Sequence, residues 1–505
     1  GVATLAGWYA QEVIFDGIPH VTDAISHLFQ ARIFADGRLF APAPDCPDVF
    51  YQFHVLMTHS GKWFTKYTPG NAILLAAADA IGMQKWILPL CGGLITVMLG
   101  RLVETFDRPS TGRGVMVLFA LSPLSILLSG SYMSHVPALF YALAGFTCYV
   151  YGRRSDSRFG PALWFTACGF LLGRSALTRP HEFLMIGLVA FLYFLTLPGR
   201  EWMILLRRLP WIIAGMIPVL AVWATWNRAI YGDLLAIGYG FTSSDVIHPP
   251  FQGTFGLTET FTLVDAIKVL VWNLDRVNHS FFGWPASLLF VPLAFIRRGN
   301  RLVLISVLAI LVFVGTYFLY DYRAEFESRY YYLALPFFTY LTARGIALVG
   351  RRTVLAQLAM LVCLAFYAHA FVHYWPSYLI PKYRANYEDA SRLVDQAVKS
   401  QVEKPALCLI DGGENPFIYS SGFLFNDPDL ASDVIYGRYL EDQLSCVYAS
   451  FAGRHIYVYR GGADGRGTVS LLRPAVSAGA AGEDEILTTH GDREEPSLQT
   501  PQPAE

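Results

Sequence analysis

The sequence predicts an α-helical polytopic membrane protein with a small C-terminal α/β domain. Three observations carry this. Of the 505 residues, 54% are hydrophobic and only 15% are charged, where an ordinary soluble domain has roughly 25% charged. Mean hydropathy is +0.39. The apolar residues fall into about eleven runs of near-spanning length, and only the segment near 386–460 alternates like a soluble α/β layer.

The first apolar run, 1–15, would be about 22 Å long as a helix, against a hydrocarbon core of about 30 Å. It is therefore expected as a partial or tilted span, with no cleavable signal pattern. Further runs lie near 86–104, 115–130, 133–151, 160–178, 182–198, 210–229, 281–296, 302–320, 330–347 and 354–374. The run 68–82 is broken by Pro69 and Asp79, so it reads as a short helix in the interface.

Basic residues mark alternate loops. They are Arg108 and Arg113; Arg153, Arg154 and Arg158; Arg200, Arg207 and Arg208; Arg297, Arg298 and Arg301; and Arg351 and Arg352. The positive-inside rule puts these loops in the cytoplasm. Residues 16–85, the 230–280 and 321–328 loops and everything after 375 then lie outside. The expected layout is a membrane domain over 1–375 with an external catalytic loop at 16–85, an external α/β domain over 376–460, and a disordered tail over 461–505 rich in Gly, Ala, Pro and acidic residues.

In the C-terminal piece NYEDASRLVDQAVKSQ and GRYLEDQLSCVYASF read as helices, and PALCLI, SDVIY and RHIYVYR as strands. Cys408 and Cys446 there read either as a disulfide, in an oxidising compartment where disulfides persist, or as two free, buried cysteines. The seven cysteines show no zinc spacing. A formal net charge of −1 gives no footprint for nucleic acid. No phosphate-cradling glycine loop is present, and no cofactor is indicated.

The segment PHVTDAISHLFQARIFADGRL (19–39) is the most polar stretch near the first span. His20, Asp23 and His27 are spaced i, i+3, i+7, which puts them on one helix face. A carboxylate at a membrane boundary is costly and is usually kept for a task. Asp23 reads as a general base for an acceptor hydroxyl, or as the cap of a helix that starts near Ala24. A divalent metal held by His20, Asp23 and His27 is a further reading, without an evident fourth ligand. Lys66, in WFTKYTPGNAILLA (63–76), reads either as a phosphate-holding point charge or as a snorkelling interface lysine beside Trp63 and Tyr67. His54, His135, Arg179 and Arg329 bring further cations or imidazoles to the same outer side, where together they suit an anionic headgroup.

In order and topology these features resemble the GT-C superfamily of integral-membrane glycosyltransferases, near the protein O-mannosyltransferases and the aminoarabinose transferases of lipid A. The resemblance covers about residues 15–375. In that family an aspartate in the first external loop, often followed by Glu, is the catalytic base. VTDAISHLFQA matches it with Asp23, but Ala24 replaces the Glu. The family's lysine before a Pro/Gly-containing interfacial helix corresponds to Lys66 and binds the donor's phosphate. His135 stands where the family often has an acidic residue. LTRP (177–180), WNRAIYGD (226–233), ESRYYYLALP (327–336), NDPDL (426–430) and AGRHIYVYR (452–460) are also similar to bacterial members.

The resemblance implies an inverting glycosyltransferase, multi-pass in the bacterial inner membrane, with its site on the periplasmic side. Its partners would be membrane lipids, a polyprenyl-phosphate sugar donor and a glycan, lipid or protein acceptor. The rival readings are a lipid or solute transporter and an inactive assembly subunit. Transporters place ionisable groups near the midplane, whereas here most sit at span ends, Arg174 partly excepted.

Overall fold

The computed structural model describes residues 1–155, 159–236, 238–250, 255–297, 300–321, 326–349, 353–384, 387–413 and 415–476. Arg158, Arg298, Arg351, Arg352 and the expected tail beyond 476 lie outside them.

Helix α1 (Val2–Tyr9) widens into a looser turn over Ala10–Ile14. Helix α2 (Thr22–Ala35) follows, then an antiparallel sheet of β1 (Ala41–Pro42), β2 (Val55–Met57) and β3 (Lys62–Thr65) with β3 in the middle. Helix α3 (Gly70–Asp79) has ten residues, too few to span, as expected of the interfacial run. The bundle continues with α4 (Gln84–Phe106), α5 (Pro109–Ala120), α6 (Pro123–Gly130), α7 (His135–Arg154), α8 (Gly160–Thr178), α9 (Pro180–Leu195) and α10 (Gly199–Tyr231). After it come α11 (Leu263–Ser280), α12 (Arg301–Phe318), α13 (Leu335–Val349) and α14 (Thr353–His369).

Among the described residues five helices are long and apolar enough to cross a membrane, or six when the pair α5–α6, bent by 54°, counts as one span. The bend falls at Ser122–Pro123, where proline cannot continue a hydrogen-bonded turn. Helices α1, α7, α8 and α9 lie where four more spans were expected. The expected span at 281–296 is not a helix. Gly283 has φ +68°, Pro285 and Pro292 interrupt the run, and only a short 3₁₀ turn forms over Pro292–Phe295. The loop 230–280 instead holds α11, started by a capping box between Thr262 and Asp265.

Helices α8 and α10 cross with their backbones nearly touching. A Cβ on Gly169 would lie 1.8 Å from the Ile212 carbonyl oxygen, and one on Gly215 would lie 1.9 Å from that of Thr166. Small residues permit this approach where lipid supplies no hydrophobic drive.

Helix α14 runs on through a wide turn over Ala370–Leu379 into α15 (Ile380–Tyr383). The helical structure thus continues past the expected boundary at 375, to 383. Beyond it lie α16 (Arg392–Lys399), β4 (Ala406–Asp411), α17 (Ser420–Phe423), β5 (Val434–Arg438), α18 (Leu444–Ser450), β6 (His455–Arg460) and β7 (Thr468–Arg473). The sheet order is β5-β4-β6-β7, with β7 antiparallel. Strand β7 lies within the stretch read as a tail. Its TVSLLR is strand-like, but surrounding Gly and Ala masked it.

The two domains share a core around α2. Ile25, Phe29 and Ile33 pack with Val394, Leu407 and Ile435, while Val21, Ala24 and Leu28 join the bundle core. Arg32 Nη1 donates to the Leu424 and Asn426 carbonyls, both at 2.8 Å. Arg38 pairs with Asp429 at 2.6 Å.

Cys446 is bonded to Cys46, four hundred positions away in sequence, and not to Cys408. Cys408 is buried in β4 and free. The bridge ties α18 to the 16–85 loop. In unreduced digests the Cys46 peptide should be linked to the Cys446 peptide, with Cys408 alkylated after denaturation. Replacing Cys46 by Ser should weaken domain docking by about 2–4 kcal/mol. Recovery of a Cys408–Cys446 peptide would overturn the assignment.

Candidate active site

Asp23 lies in the first turn of α2, where the helix dipole favours a negative charge. Val21 is the N-cap and no side chain caps the helix, so the capping reading of Asp23 does not hold. Its Oδ1 accepts a hydrogen bond from the Tyr67 hydroxyl at 2.5 Å. Its Oδ2 lies 3.7 Å from His54 Nε2 and 3.9 Å from Arg329 Nη1. Burial alone would raise the Asp23 pKa. Arg329, His54, the Tyr67 hydroxyl and Lys66 outweigh it and hold the carboxyl far below the usual carboxylate range. The side chain remains 21% exposed.

Helix α2 also holds the hairpin that delivers the other groups. Ser26 Oγ donates to the His54 carbonyl at 2.7 Å and lies 2.5 Å from Thr65 Oγ1. The Thr65 N–H donates to Gln30 Oε1 at 3.1 Å, and the Lys66 N–H to the His54 carbonyl at 3.0 Å. Residues 23, 26, 27 and 30 follow the i, i+3, i+4, i+7 pattern, so one face of α2 carries both the carboxylate and the struts. His54 has φ +68°, a left-handed conformation uncommon for a non-glycine residue.

Lys66 is 4% exposed. Its ammonium lies 5.2 Å from the Tyr67 ring and 4.9 Å from the Tyr239 ring, within cation–π range. Burial pushes its pKa down to about 8, with Asp23 opposing the shift. Gly70, four residues on, lets this segment touch α8. A Cβ there would lie 2.6 Å from the Leu177 carbonyl oxygen.

The histidines divide. His20 precedes the helix, so the i, i+3, i+7 spacing does not apply to it. Its ring nitrogens contact the Phe15 and Tyr387 carbonyls at 2.8 and 3.2 Å, and it braces the fold rather than joining Asp23. The His27 ring lies 4.8 Å from the Tyr67 ring, and His54 5.6 Å from it. Burial pushes His27 down to about 4 and His54 down to about 3. Both are neutral near pH 7, so the His54–Asp23 contact is not an ion pair there. His135 is buried within electrostatic reach of Arg179, Arg329, Asp23 and His27.

Arg179 is not an available anion site. Its Nε donates to Glu182 Oε1 at 2.6 Å and its Nη1 to Ser134 Oγ at 2.9 Å. Tyr317 also donates to Glu182, at 3.3 Å. Sequence reasoning passed over Glu182 because it stopped at LTRP. It also passed over Glu327, which directly precedes Ser328 and Arg329 and binds Lys382 at 2.8 Å. Among the described residues no three His, Cys, Asp or Glu side chains are placed to hold a metal ion. His20, held at the Phe15 and Tyr387 carbonyls, is not grouped with Asp23 and His27 there.

No family model matches the chain, and no curated protein matches it in sequence. Solved structures do. ArnT, an aminoarabinose transferase from Cupriavidus metallidurans, in its apo state aligns over 90% of this chain and 91% of its own, with TM-score 0.60 and 12% identity. The same protein bound to undecaprenyl phosphate aligns over the same shares with TM-score 0.58 and 12% identity. The Archaeoglobus fulgidus oligosaccharyltransferase aligns over 86% of this chain and 62% of its own, with TM-score 0.47 and 12% identity. On the ArnT alignments, which run nearly the full length of both chains, this protein has the fold of the GT-C membrane glycosyltransferases.

Proposed function

We propose that this protein is an inverting glycosyltransferase of the bacterial inner membrane. It would transfer a sugar from a polyprenyl-phosphate donor to an acceptor hydroxyl on the outer face. The observation that carries the reading is the Asp23 cluster: one ionised carboxylate 3.9 Å from Arg329, with the buried Lys66 ammonium beside it. A base and an anion-holding pair are the two parts that displacement of a lipid phosphate by a hydroxyl needs.

The acceptor hydroxyl gives its proton to Asp23 as its oxygen bonds to the anomeric carbon. The bond from that carbon to the phosphate oxygen breaks on the opposite face, and its electron pair leaves on the phosphate. Lys66 and Arg329, both buried, stabilise that charge. A carboxylate flanked by cations is a weak base. A donor phosphate that neutralises Lys66 and Arg329 raises the basicity of Asp23, so the base strengthens when the donor is in place.

Three further observations support the reading. An apolar groove of about 350 Å³ is lined by Phe34, Leu39, Pro69, Ile73, Ala221, Val222, Thr225 and Trp226. It lies along the segment that starts at Lys66 and suits a prenyl chain. The ArnT that this chain is similar to has been solved with undecaprenyl phosphate. The Cys46–Cys446 bridge fits an oxidising compartment. The test is incubation of the purified protein with radiolabelled polyprenyl-phosphate sugars. Release of free polyprenyl phosphate with sugar transfer supports the reading. Movement of intact donor across a vesicle, or no reaction with any donor, defeats it.

Lys66 adds a pH signature. Its ammonium is held at about 8 by burial, and only the protonated form attracts the donor. Donor affinity should be flat below that pH and fall by about tenfold per unit above it. Lys66→Arg, whose charge persists above pH 12, should flatten the profile. An unchanged Kd from about pH 7 to pH 9.5 in the wild type would remove Lys66 from the phosphate site.

A further inference from the structure

His135 opens α7 next to Ser134, whose hydroxyl accepts from Arg179 at 2.9 Å. Its side chain is 2% exposed, yet neither ring nitrogen has a hydrogen-bond partner among the described residues. His27 is likewise 2% exposed, with Nδ1 unpartnered. Buried polar atoms are nearly always satisfied, and one that is not calls for a reason. The fold brings the two histidines to the same side of the site: Arg179, bonded to Ser134, adjoins Thr178, whose carbonyl accepts from Thr68 at 3.3 Å, and Thr68 adjoins Tyr67, whose ring lies 4.8 Å from that of His27. Arg329, which contacts Asp23, is in the same neighbourhood.

We propose that His135 and His27 form a subsite for the ring hydroxyls of the donor sugar. The inference rests on the donor reading above and deepens it. With the phosphate between Lys66 and Arg329, the anomeric carbon must lie between that phosphate and Asp23. The sugar ring then sits among the groups around Asp23, where the unpartnered imidazoles are. A neutral imidazole offers one N–H and one lone pair, the same complement as a hydroxyl. These imidazoles therefore recognise a polyhydroxylated ring and add nothing to the hold on the phosphate.

The test uses the full chain in detergent, with two probes: undecaprenyl phosphate, and undecaprenyl phosphate carrying a neutral pentose or hexose. In the wild type the sugar-bearing lipid should bind more tightly than the bare lipid. In His135→Ala that advantage should shrink by on the order of tenfold, about one hydrogen bond's worth, with bare-lipid affinity unchanged. His135→Asn should recover part of it. His135→Leu should lose the advantage and yet unfold at or above the wild-type temperature, because it replaces a polar group that has no partner in the protein. An undiminished advantage in the Ala and Leu variants would overturn the proposal and would mean that water satisfies these nitrogens. A wild type that binds the bare lipid but shows no advantage for the sugar would also overturn it, leaving the donor reading intact. A wild type that binds neither lipid would defeat the donor reading, and this inference with it.

Discussion

Asp23→Asn is expected to lower turnover by ~10²–10⁴-fold, the usual cost of losing a general base. The amide keeps the size of the side chain and can still accept from the Tyr67 hydroxyl, so the shape of the site should survive. What disappears is the proton acceptor. The change should not be silent for stability, given the surroundings of Asp23. The carboxylate balances Arg329 and Lys66, and losing a hydrogen-bonded charge should cost about 1–3 kcal/mol. The sign in pH follows. The folded-state pKa lies below the ordinary value of about 3.9, so this stability is present above that pH and is lost as pH falls further. Wild type and variant should therefore converge in stability only in strong acid. Loss of kcat/KM between about pH 5 and pH 7 would belong to another group, since Asp23 of the donor-free protein stays ionised there. Single-turnover rates with a labelled donor decide the matter, with thermal unfolding as the control for folding. Turnover within a few-fold of wild type would remove Asp23 from the role of base.

The parts of the site that were legible in the sequence were those set by local pattern. Asp23 and His27 are one helical turn apart, and Lys66 precedes a Pro-Gly helix start. Both are short-range signals, and the fold places Lys66, Tyr67, His54 and Arg329 around Asp23. His20 failed because spacing along a helix was applied before the helix begins. Nothing in PHVTD fixes the start at Thr22 rather than earlier, since no side chain caps it. The cystine failed because pairing is decided by domain docking. Nearness in sequence pointed to Cys408, while the docked surfaces bring Cys46 to α18. Arg179 was read as a free cation because its neutralising partner lies three residues on, beyond a proline. The run 281–296 shows that hydropathy reports burial and not helicity. Phe281, Phe282 and Trp284 are buried in the bundle core without forming a span.

Glu327→Ala is expected to give the largest loss of stability of any single change considered, about 3–5 kcal/mol, the range for breaking a buried charge pair. Glu327 is 1% exposed. Its Oε1 accepts from Lys382 Nζ at 2.8 Å and from the Tyr383 hydroxyl at 2.9 Å, and its Oε2 from the Tyr374 hydroxyl at 3.3 Å. Lys382 is still 27% exposed, so water recovers part of its charge, and the lower end of the range is the better expectation. The carboxylate joins the continuation of α14 to the turn that leads into α13. That turn presents Arg329 to Asp23 two residues later, with Ser328 Oγ lying 2.5 Å from Ser280 Oγ. Turnover should therefore fall along with stability. Three variants separate the causes. Glu327→Gln keeps the shape and should cost less than Glu327→Ala. Glu327→Gln combined with Lys382→Met removes both charges and should be more stable than the Gln variant alone, because no unpaired ammonium remains. Glu327→Gly relieves the φ of +46°, a conformation that strains a non-glycine residue by ~1–3 kcal/mol. If Glu327→Gly unfolds at or above the wild-type temperature, backbone strain outweighs the ion pair at this position. If Glu327→Ala unfolds within about 0.5 kcal/mol of wild type, an ordinary surface-site effect, the clamp on the Arg329 turn does not exist.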